Sequence, residues 1–285
     1  MHAVDADTDT ASTDRYIVPA LERGLELLGK FNRHRPALSG AELSRQLGVP
    51  RASVFRMLHT LEKSGFVERA ANSLQYKLSL GVLRLGFEYL ASMELTEHGR
   101  PIIEALRDAS GHSAHIVVRD QRDVVFVAKA TGKSTQFHAI QVGARLPAHA
   151  TVLGRQLLCC MTMAELTAMY PEKSLQSHTS KTPKTVTELK ALLETDRRNG
   201  YGISQGGFES GISTIASPVM NDRLEVIAAV SITVPAQQLD SATTDTLVPM
   251  VQQAAKALTE RLSHMPPPRM PVKITPIRQH KTSAG

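Results

Sequence analysis

The stretch Ser39–Leu78, SGAELSRQLGVPRASVFRMLHTLEKSGFVERAANSLQYKL, predicts two helices joined by a tight turn and followed directly by a β-hairpin. Leu43 and Leu47 lie four residues apart, which is the spacing of one helix face. Ser39 is a preferred cap for the start of that first helix. Gly48 predicts its end, because a residue without a Cβ atom tolerates the left-handed backbone of a helix terminus.

The second helix is predicted to open at Pro50, whose ring presets φ and whose missing amide hydrogen has no acceptor to lose in a first turn. Val54, Leu58 and Leu61 follow at positions i, i+4 and i+7, so they form the buried stripe. The remaining face carries no acidic residue before Glu62. It holds five side chains that suit the major groove of DNA: Arg51, Ser53, Phe55, Arg56 and His59.

A wing is predicted after the second helix. Residues 66–69 and 74–78 have the composition of two short strands around a turn at 70–73. We expect the wing to place four polar side chains beside the DNA backbone or in the minor groove: Arg69, Asn72, Gln75 and Lys77.

Two helices, a short turn and a wing beside a basic face together predict a DNA-binding domain. Arg51, Ser53 and Arg56 are the expected contacts in the groove, and Arg69 and Lys77 are the expected contacts to the backbone. The alternative is a small helical subdomain that binds protein.

Positive charge is concentrated in the same part of the chain. Residues 15–78 hold 11 Lys and Arg against 5 Asp and Glu, a net charge of +6, whereas residues 79–265 hold 18 of each. The first 14 residues, with four Asp, and the last 20, with four Lys and Arg, cancel each other. A basic patch confined to one module supplies the salt-sensitive, sequence-independent part of affinity for DNA.

Length and composition favour two domains, since 285 residues with 42% apolar content can bury more than one core. No apolar run approaches the roughly 18 residues of a membrane span. The N-terminus, MHAVDADTDTASTD, lacks the basic and apolar regions of a secretory signal, so we expect a cytoplasmic protein without a membrane partner. Cys159 and Cys160 are adjacent, which suits neither an ordinary disulfide nor a zinc site, and both are expected to be small core residues.

We expect five segments: a disordered tail at 1–14, the DNA-binding domain at 15–78, a linker helix at 79–95, a second domain at 96–264 and a disordered tail at 265–285. In the linker, Leu83, Phe87 and Leu90 recur at helical spacing, which favours packing against the same helix of a second copy. Docking on its own domain is the alternative. The remaining predicted elements are strands at 114–119, 124–130, 213–220 and 226–234, and helices at 19–31, 153–162, 188–199 and 243–262, with further helical spacing at 102–106.

Several separated motifs, in this order, resemble those of the IclR family of bacterial transcription regulators. They are VPALERGLELLGKF, the helix-turn-helix and wing, VGARLPAHATVLGRQLL, RRNGYGISQGGFESGISTIASPV and IAAVSITVP. The resemblance covers residues 16–262 and implies an α+β fold: a winged helix-turn-helix, a linker helix and a GAF-like or profilin-like α/β effector-binding domain. It also implies a homodimer or a dimer of dimers on a palindromic operator in double-stranded DNA, controlled by a small organic acid or aromatic catabolite. Neither enzymatic activity nor a cofactor is expected.

The motif GARLPAHATVLG fits one edge of an effector pocket. Gly143 and Pro147 are expected to shape a loop that leads into a helix starting near Ala150. Helix starts present unpaired amide hydrogens that suit a carboxylate. The residues expected at the pocket edge are Thr151, Val152 and Leu153.

Family position implies five more effector contacts: Ser204, Ile212, Thr214, Ser231 and Thr233. Ser231 and Thr233 are two residues apart on one strand, so both hydroxyls should point to the same sheet face; local or solvent-facing roles are the alternative. The segment 204–209 holds only Glu209 as an acid, where members of the family commonly have more. We therefore expect a looser pocket that takes an aromatic or larger carboxylate.

Other chemical motifs are weaker. Residues 202–206 match the G-x-S-x-G elbow of hydrolases, but a charged helix precedes them and a glycine-rich loop follows, the reverse of the strand and helix that an elbow needs. Gly132, Lys133 and Ser134 lack the leading glycine of a phosphate loop and fit a turn between strands. No metal is expected, although a local turn could bring together His112, His115 and His149. A hydrolase fused to a DNA-binding domain and a regulator with a ligand-free assembly domain are the alternative functions.

Overall fold

The computed structural model describes residues 17–32, 34–71, 73–91, 93–132 and 140–263. The chain divides into two compact units, Met1–Ser92 and Met93–Gly285, and each has its own core. The tails expected to be disordered, 1–14 and 265–285, lie outside the described residues, as do Lys133 and Ser134. No helix in the described part of the chain is long and apolar enough to cross a membrane.

The described residues of the first unit form four helices and a three-stranded antiparallel sheet. The helices are α1 (Pro19–Gly29), α2 (Gly40–Leu47), α3 (Arg51–Lys63) and α4 (Leu80–Ala91), and the strands are β1 (Ala37–Ser39), β2 (Val67–Arg69) and β3 (Gln75–Leu78). The predicted helix-turn-helix and wing are confirmed. The sequence pattern did not predict β1, which pairs with β3 so that the strand order is β1-β3-β2. Pro50 also differs from expectation, because it precedes α3 as its cap and is not its first residue.

Local chemistry sets the ends of α2. The Ser39 hydroxyl accepts a hydrogen bond from the Glu42 amide at 3.3 Å, and the Glu42 carboxylate accepts one from the Ser39 amide at 2.8 Å. This reciprocal pair satisfies two amides that the helix start leaves free. The Ser39 hydroxyl also donates to the Glu42 carboxylate at 2.6 Å, and this bond, followed by the one from the Ser39 amide, lowers the pKa of Glu42. Gly48 ends the helix with φ of 65°, as its sequence position predicts. Val54 and Leu58 of α3 are fully buried in the core beneath.

The predicted linker helix corresponds to α4, and the apolar side chains described on it stay partly or largely exposed in the part of the chain that the structure describes. Leu83 is 50% exposed and Leu90 is half-buried, while the side chain of Phe87 lies outside the description. Leu80 and Tyr89 are also exposed on this helix. The alternative of docking on its own domain therefore leaves much of this surface uncovered.

The described residues of the second unit form a six-stranded antiparallel sheet with the strand order β6-β5-β4-β9-β8-β7. The strands are β4 (Ser113–Asp120), β5 (Asp123–Ala130), β6 (Arg145–Pro147), β7 (Gly202–Gln205), β8 (Ile212–Met220) and β9 (Val226–Pro235). The helices are α5 (Glu94–Ser110), α6 (Val152–Leu158), α7 (Met163–Met169), α8 (Val186–Asn199) and α9 (Ser241–Leu262). The predicted α+β class is confirmed.

Successive residues of β4 show which helices cover each sheet face. A Cβ atom on Gly99 of α5 would lie 2.2 Å from Ile116 Cδ1 and 3.6 Å from a methyl of Leu258 in α9, so α5 and α9 cover the Ile116 face. Val117 belongs to the opposite core together with Leu157 of α6. Because side chains alternate along a strand, every second residue of β4, β8 and β9 faces the α6 side.

Two local expectations for the α6 region are wrong. The helix begins at Val152, not near Ala150, because Ala148–Ala150 forms a separate 3-10 turn. Of the two cysteines expected in the core, Cys159 is buried, whereas Cys160 is exposed. Their sulfur atoms lie 3.9 Å apart, and burial raises the pKa of the Cys159 thiol to about 12. Cys159 is therefore an unreactive core residue.

Candidate functional site

The exposed side of α3 carries most of the side chains expected to contact DNA. Arg51, Phe55, Arg56 and His59 are exposed, and Ser53 is half-buried. Among the described residues, no acidic side chain forms an ion pair with Arg51 or Arg56. Both guanidinium groups are therefore available to an anionic partner.

The five α3 residues do not point in one direction. Ser53 and Arg56 both line a groove between α3 and α1, and of the two only Arg56 is exposed. Arg51 and Phe55 line a separate depression that faces Tyr76 of the wing. Ser53 is consequently less well placed for a base contact than its sequence position suggested.

The centre of the exposed face lies at Ala52, Arg56, His59 and Lys63, all of which are exposed. Their spacing of i, i+4, i+7 and i+11 places them on one side of the helix, opposite the buried Val54. Sequence reasoning missed Ala52 and Lys63, although the helical period that identified the buried stripe also identifies the residues opposite it.

The basic residues of the wing already have carboxylate partners. Arg69 lies 3.8 Å from Glu62 and its guanidinium group is 5.4 Å from the centre of the Tyr76 ring. Lys77 is 2.9 Å from Glu68. These pairs are exposed and therefore weak, so a phosphate could replace either carboxylate at small cost. Two expected wing contacts remain: Gln75 on β3 is half-buried, and Asn72 lies outside the described residues.

In the second unit, a narrow cavity of about 50 Å³ lies among α6, β7, β8, β9 and the loop that follows β7. Seven of the eight expected effector contacts line it: Thr151, Val152, Leu153, Ser204, Ile212, Thr214 and Thr233. Phe126, Leu146, Phe208 and Glu209 complete much of the wall. The structure thus brings together residues that are up to 107 positions apart in the sequence.

The cavity has a row of hydroxyl groups along one wall. Ser204, Thr214 and Thr233 are cross-strand neighbours on β7, β8 and β9. Thr214 and Thr233 have no side-chain hydrogen-bond partner among the described residues, and the Ser204 hydroxyl accepts from the Gly207 amide at 3.1 Å while keeping its own proton. Three hydroxyl protons are therefore available to a carboxylate or another acceptor.

Thr151 has a different role from the expected one. Its hydroxyl accepts from the Gly154 amide at 3.1 Å and donates to the Pro147 carbonyl at 3.4 Å. The hydroxyl therefore caps α6 and satisfies an amide that was expected to bind a carboxylate. The apolar neighbours Val152 and Leu153 line the cavity wall.

Ser231 faces the same side of the sheet as Thr233 but lies deeper. It is fully buried, and its cross-strand partner on β4 is His115, which is 2% exposed. The His115 ring meets Phe126 edge-on, with the ring centres 5.4 Å apart. Burial, followed by the charge of Lys129, lowers the pKa of His115 to about 3, so this ring is neutral near pH 7.

The other two histidines considered as metal ligands lie in different surroundings. His112 precedes β4 and is half-buried, and His149 lies 2.9 Å through Nε2 from the Gln176 carbonyl. The His149 ring is next to Tyr170 and His178, not His115. No group of three or more His, Cys, Asp or Glu that could hold a metal occurs in the described residues.

The G-x-S-x-G match does not form a hydrolase elbow. Gly202–Gln205 is the edge strand β7, which follows α8 and leads into a loop. Ser204 is therefore a strand residue whose hydroxyl accepts from the Gly207 amide. An elbow needs a strand, a sharp turn at the serine and a following helix, and this arrangement differs from it.

The loop after β7 is held by the segment 177–184, which no sequence signal identified. Thr179 and Thr182 both donate to the Gly207 carbonyl, at 2.8 Å and 3.0 Å. Phe208, which lines the cavity, has its ring centre 4.9 Å from that of His178. These contacts hold the loop against the cavity.

Two family models match the chain. The first, described as "Bacterial transcriptional regulator IclR C-terminal", covers residues 87–260, and the second, "IclR helix-turn-helix domain", covers residues 20–71. The HTH-type transcriptional regulator XynR of Escherichia coli is 27% identical over 251 residues, which cover 87% of this chain and 98% of XynR. The Pca regulon regulatory protein of Pseudomonas putida is 30% identical over 220 residues, which cover 77% and 75% of the two chains.

Solved structures share the architecture. An IclR transcriptional regulator from Alicyclobacillus acidocaldarius has a TM-score of 0.78 at 22% identity and covers 87% of this chain and 100% of its own. An IclR homologue from Microbacterium hydrocarbonoxydans, in complex with 4-hydroxybenzoate, has a TM-score of 0.75 at 22% identity, with 86% and 100% covered. At these identities the likeness shows the fold.

Proposed function

The chain belongs to the IclR family of bacterial transcriptional regulators, and from that premise we propose that a small carboxylic acid bound in the second unit controls its binding to an operator. We assign DNA binding to residues 15–78, the linker to 79–95 and effector binding to 96–264. Such a regulator acts on the chromosome and therefore in the cytoplasm.

DNA recognition is assigned to the exposed face of α3. The observation that carries it is the exposed row Arg56, His59 and Lys63, in which no ion pair in the described residues neutralises the two cations, Arg56 and Lys63. Guanidinium groups on a groove-inserted helix bind guanine edges or phosphates, and Arg51 lies close enough to the wing side to bind the adjacent backbone. Promoter fragments from the genes beside its own, tested by fluorescence anisotropy at modest ionic strength, should include one bound preferentially. No preference for any fragment would contradict the assignment.

Effector recognition is assigned to the cavity lined by Ser204, Thr214 and Thr233. Three available hydroxyl protons in one row suit a carboxylate, and the Microbacterium neighbour, which contains 4-hydroxybenzoate, supports an aromatic acid. The cavity is narrower than the loose pocket expected from the glycine-rich segment, with room for only about four water molecules at this size. An aromatic acid would therefore require displacement of the loop that carries Phe208.

Calorimetric titration of the whole protein with aromatic and short aliphatic acids tests the effector class. We expect saturable binding of an aromatic acid, and a clear preference for glyoxylate-sized acids would contradict it. Binding of none would favour a second unit that serves only assembly.

The first unit also supports assembly through a second copy. Leu80, Leu83 and Tyr89 of α4 are exposed, as are Leu21 and Leu25 of α1. Apolar surface of this extent on two helices favours burial against another chain. We propose a homodimer, or a dimer of dimers, because two recognition helices can then bind two half-sites of a palindromic operator. Sedimentation should find no folded monomer at micromolar concentration.

The proposed control is a shift between two arrangements of the dimer. An effector can change operator affinity only by the difference in its own affinity for those two arrangements. The linker helices connect the two functions in each chain, so they would carry the change to the recognition helices. Operator affinity measured with and without bound acid gives the coupling directly.

A further inference from the structure

Two buried polar side chains beside the effector cavity have no hydrogen-bond partner among the described residues. His115 is 2% exposed and Ser231 is fully buried, and they are direct cross-strand partners on β4 and β9. Within the part of the chain that the structure describes, both ring nitrogens of His115 and the hydroxyl oxygen of Ser231 lack a hydrogen-bond partner. Unsatisfied buried polar groups cost free energy, so three in one contact pair point to a polar occupant.

This pair borders the cavity that binds the proposed effector. Ser231 is two residues from Thr233 on β9, so the two hydroxyls lie on one face about 7 Å apart along the strand. Phe126 both lines the cavity and contacts the His115 ring. On the strand that flanks β4 opposite β9, Lys129 of β5 is the cross-strand partner of His115. The Lys129 ammonium group donates a hydrogen bond to the carbonyl of Ile140, which also lines the cavity. The unpartnered atoms of His115 and Ser231 thus lie two residues further along the strands than the hydroxyl row of Ser204, Thr214 and Thr233, and they are more deeply buried.

The chemistry of the pair suits a hydroxyl group better than a carboxylate. Burial keeps His115 neutral, since its pKa is lowered to about 3, and a neutral imidazole offers one donor and one acceptor. The Ser231 hydroxyl also both donates and accepts. A ligand hydroxyl uses both functions, whereas a carboxylate offers only acceptors and is costly to bury without a cation.

Resting on the proposed function, in which family position already implies Ser231 as an effector contact, we propose that His115 completes the inner end of the effector site beside Ser231 and that the pair selects acids that carry a hydroxyl group opposite the carboxylate. The carboxylate then accepts from the outer row of Ser204, Thr214 and Thr233. The separation of the two rows along the strand suits a molecule with polar groups at the two ends of one ring or of a short chain. His115 and Ser231 are specificity-determining residues in this assignment.

Two matched pairs of ligands test the proposal on the full-length protein by calorimetry: 4-hydroxybenzoate against benzoate, and 4-hydroxybutyrate against butyrate. The wild type should bind the hydroxylated member of at least one pair on the order of tenfold more tightly, the effect of a hydrogen bond between neutral groups. His115→Phe and Ser231→Ala should each reduce that preference severalfold while leaving the affinity for the other member nearly unchanged.

Ser213→Ala is the matched control. Ser213 is also a fully buried serine without a hydrogen-bond partner among the described residues, but it alternates with Ile212 and Thr214 and so faces away from the cavity. This variant should keep the wild-type preference.

The outcomes separate the two proposals. Binding of both members of each pair with equal affinity would overturn the role of His115 and Ser231 and leave effector binding intact. Equal losses for both members in His115→Phe and in Ser231→Ala would also overturn it, since a merely structural pair acts in that way. Binding of none of the four acids would contradict both proposals.

Discussion

Replacing His115 with phenylalanine should make the second unit less sensitive to acid. The pKa of this ring is about 3 in the folded protein, because of burial and then the charge of Lys129, against 6.5 in the unfolded chain. The ring therefore takes up a proton mainly after unfolding. The stability contributed by the neutral ring is fully present above pH 6.5 and is lost as the pH falls toward 3.

The size of this loss of stability is determined almost entirely by the pKa of the histidine in the unfolded chain. At pH 5, roughly 97% of unfolded chains carry the proton on a ring with a pKa of 6.5, and linkage converts this into a loss of about 2 kcal/mol relative to pH 7. Any folded pKa below about 4 gives nearly the same loss, so the prediction does not depend on its exact value. Phenylalanine cannot titrate, and its ring can keep the edge contact with Phe126.

The assay is hydrogen exchange of β4 and β9 peptides across a urea series at pH 7 and pH 5. The free energy of unfolding of the wild type should fall between these two pH values by about 2 kcal/mol more than that of His115→Phe. His112 and His149, whose pKa values are also lowered, are present in both proteins and cancel. Ser231→Ala keeps the ring and should show the wild-type dependence. Equal acid sensitivity of His115→Phe and the wild type would refute the reasoning.

Four further variants test DNA binding, assembly and packing. Arg56→Ala should lower the affinity for the operator by about 1–3 kcal/mol if Arg56 binds a base. Lys63→Ala should lower the affinity for all DNA sequences alike and reduce the slope of log affinity against log salt concentration by about one. Fluorescence anisotropy at several salt concentrations distinguishes the two effects, and an unchanged affinity would remove the residue concerned from its role. Leu83→Glu should convert the proposed dimer into monomers in sedimentation, and an unchanged mass would exclude α4 as the interface. Gly202→Ala should destabilise the second unit by about 1–3 kcal/mol in thermal unfolding, because its Cβ would lie 2.6 Å from Asp196 Oδ2 and 2.7 Å from a Val152 methyl; an unchanged Tm would contradict this packing.

The helix-turn-helix was predictable because its signals are local. Ser39, Glu42 and Gly48 act within one helix, and the stripe of Val54 and Leu58 depends only on the helical period. Strand β1 was not predictable in this way. It has three residues, and what defines it is pairing with β3, about 40 positions later in the chain.

The limit of local reasoning is also visible on α3. Ser53 was expected to contact DNA because it lies outside the buried stripe, yet it faces the groove toward α1. Lys63 was not selected, although it shares a face with Arg56 and His59. The buried stripe of a helix can be predicted from its own sequence. Which of its other residues stay exposed depends on the helix that packs beside it.

In the second unit, the alternation of side chains along a strand predicts that Ser231 and Thr233 share one sheet face. It does not predict how deeply each residue is buried. Thr233 reaches the cavity, and Ser231 is buried against His115, a residue 116 positions earlier in the sequence. That difference arises from the β4–β9 pairing. The surroundings of each hydroxyl therefore depend on the strand order, which the sequence pattern does not give.

The contacts of the loop after β7 bear on how tightly an effector can bind. Thr179 and Thr182 hold the Gly207 carbonyl, and Phe208 packs on His178, so the narrow form of the cavity is stabilised by interactions outside it. An aromatic acid that requires the loop to move binds only the fraction of molecules in which these contacts are broken, and its apparent affinity falls by that fraction. If the loop opens at a cost of about 1.4 kcal/mol, affinity falls about tenfold. The hydroxyl row and the segment 177–184 therefore act in opposition, the first favouring the bound state and the second favouring the narrow cavity.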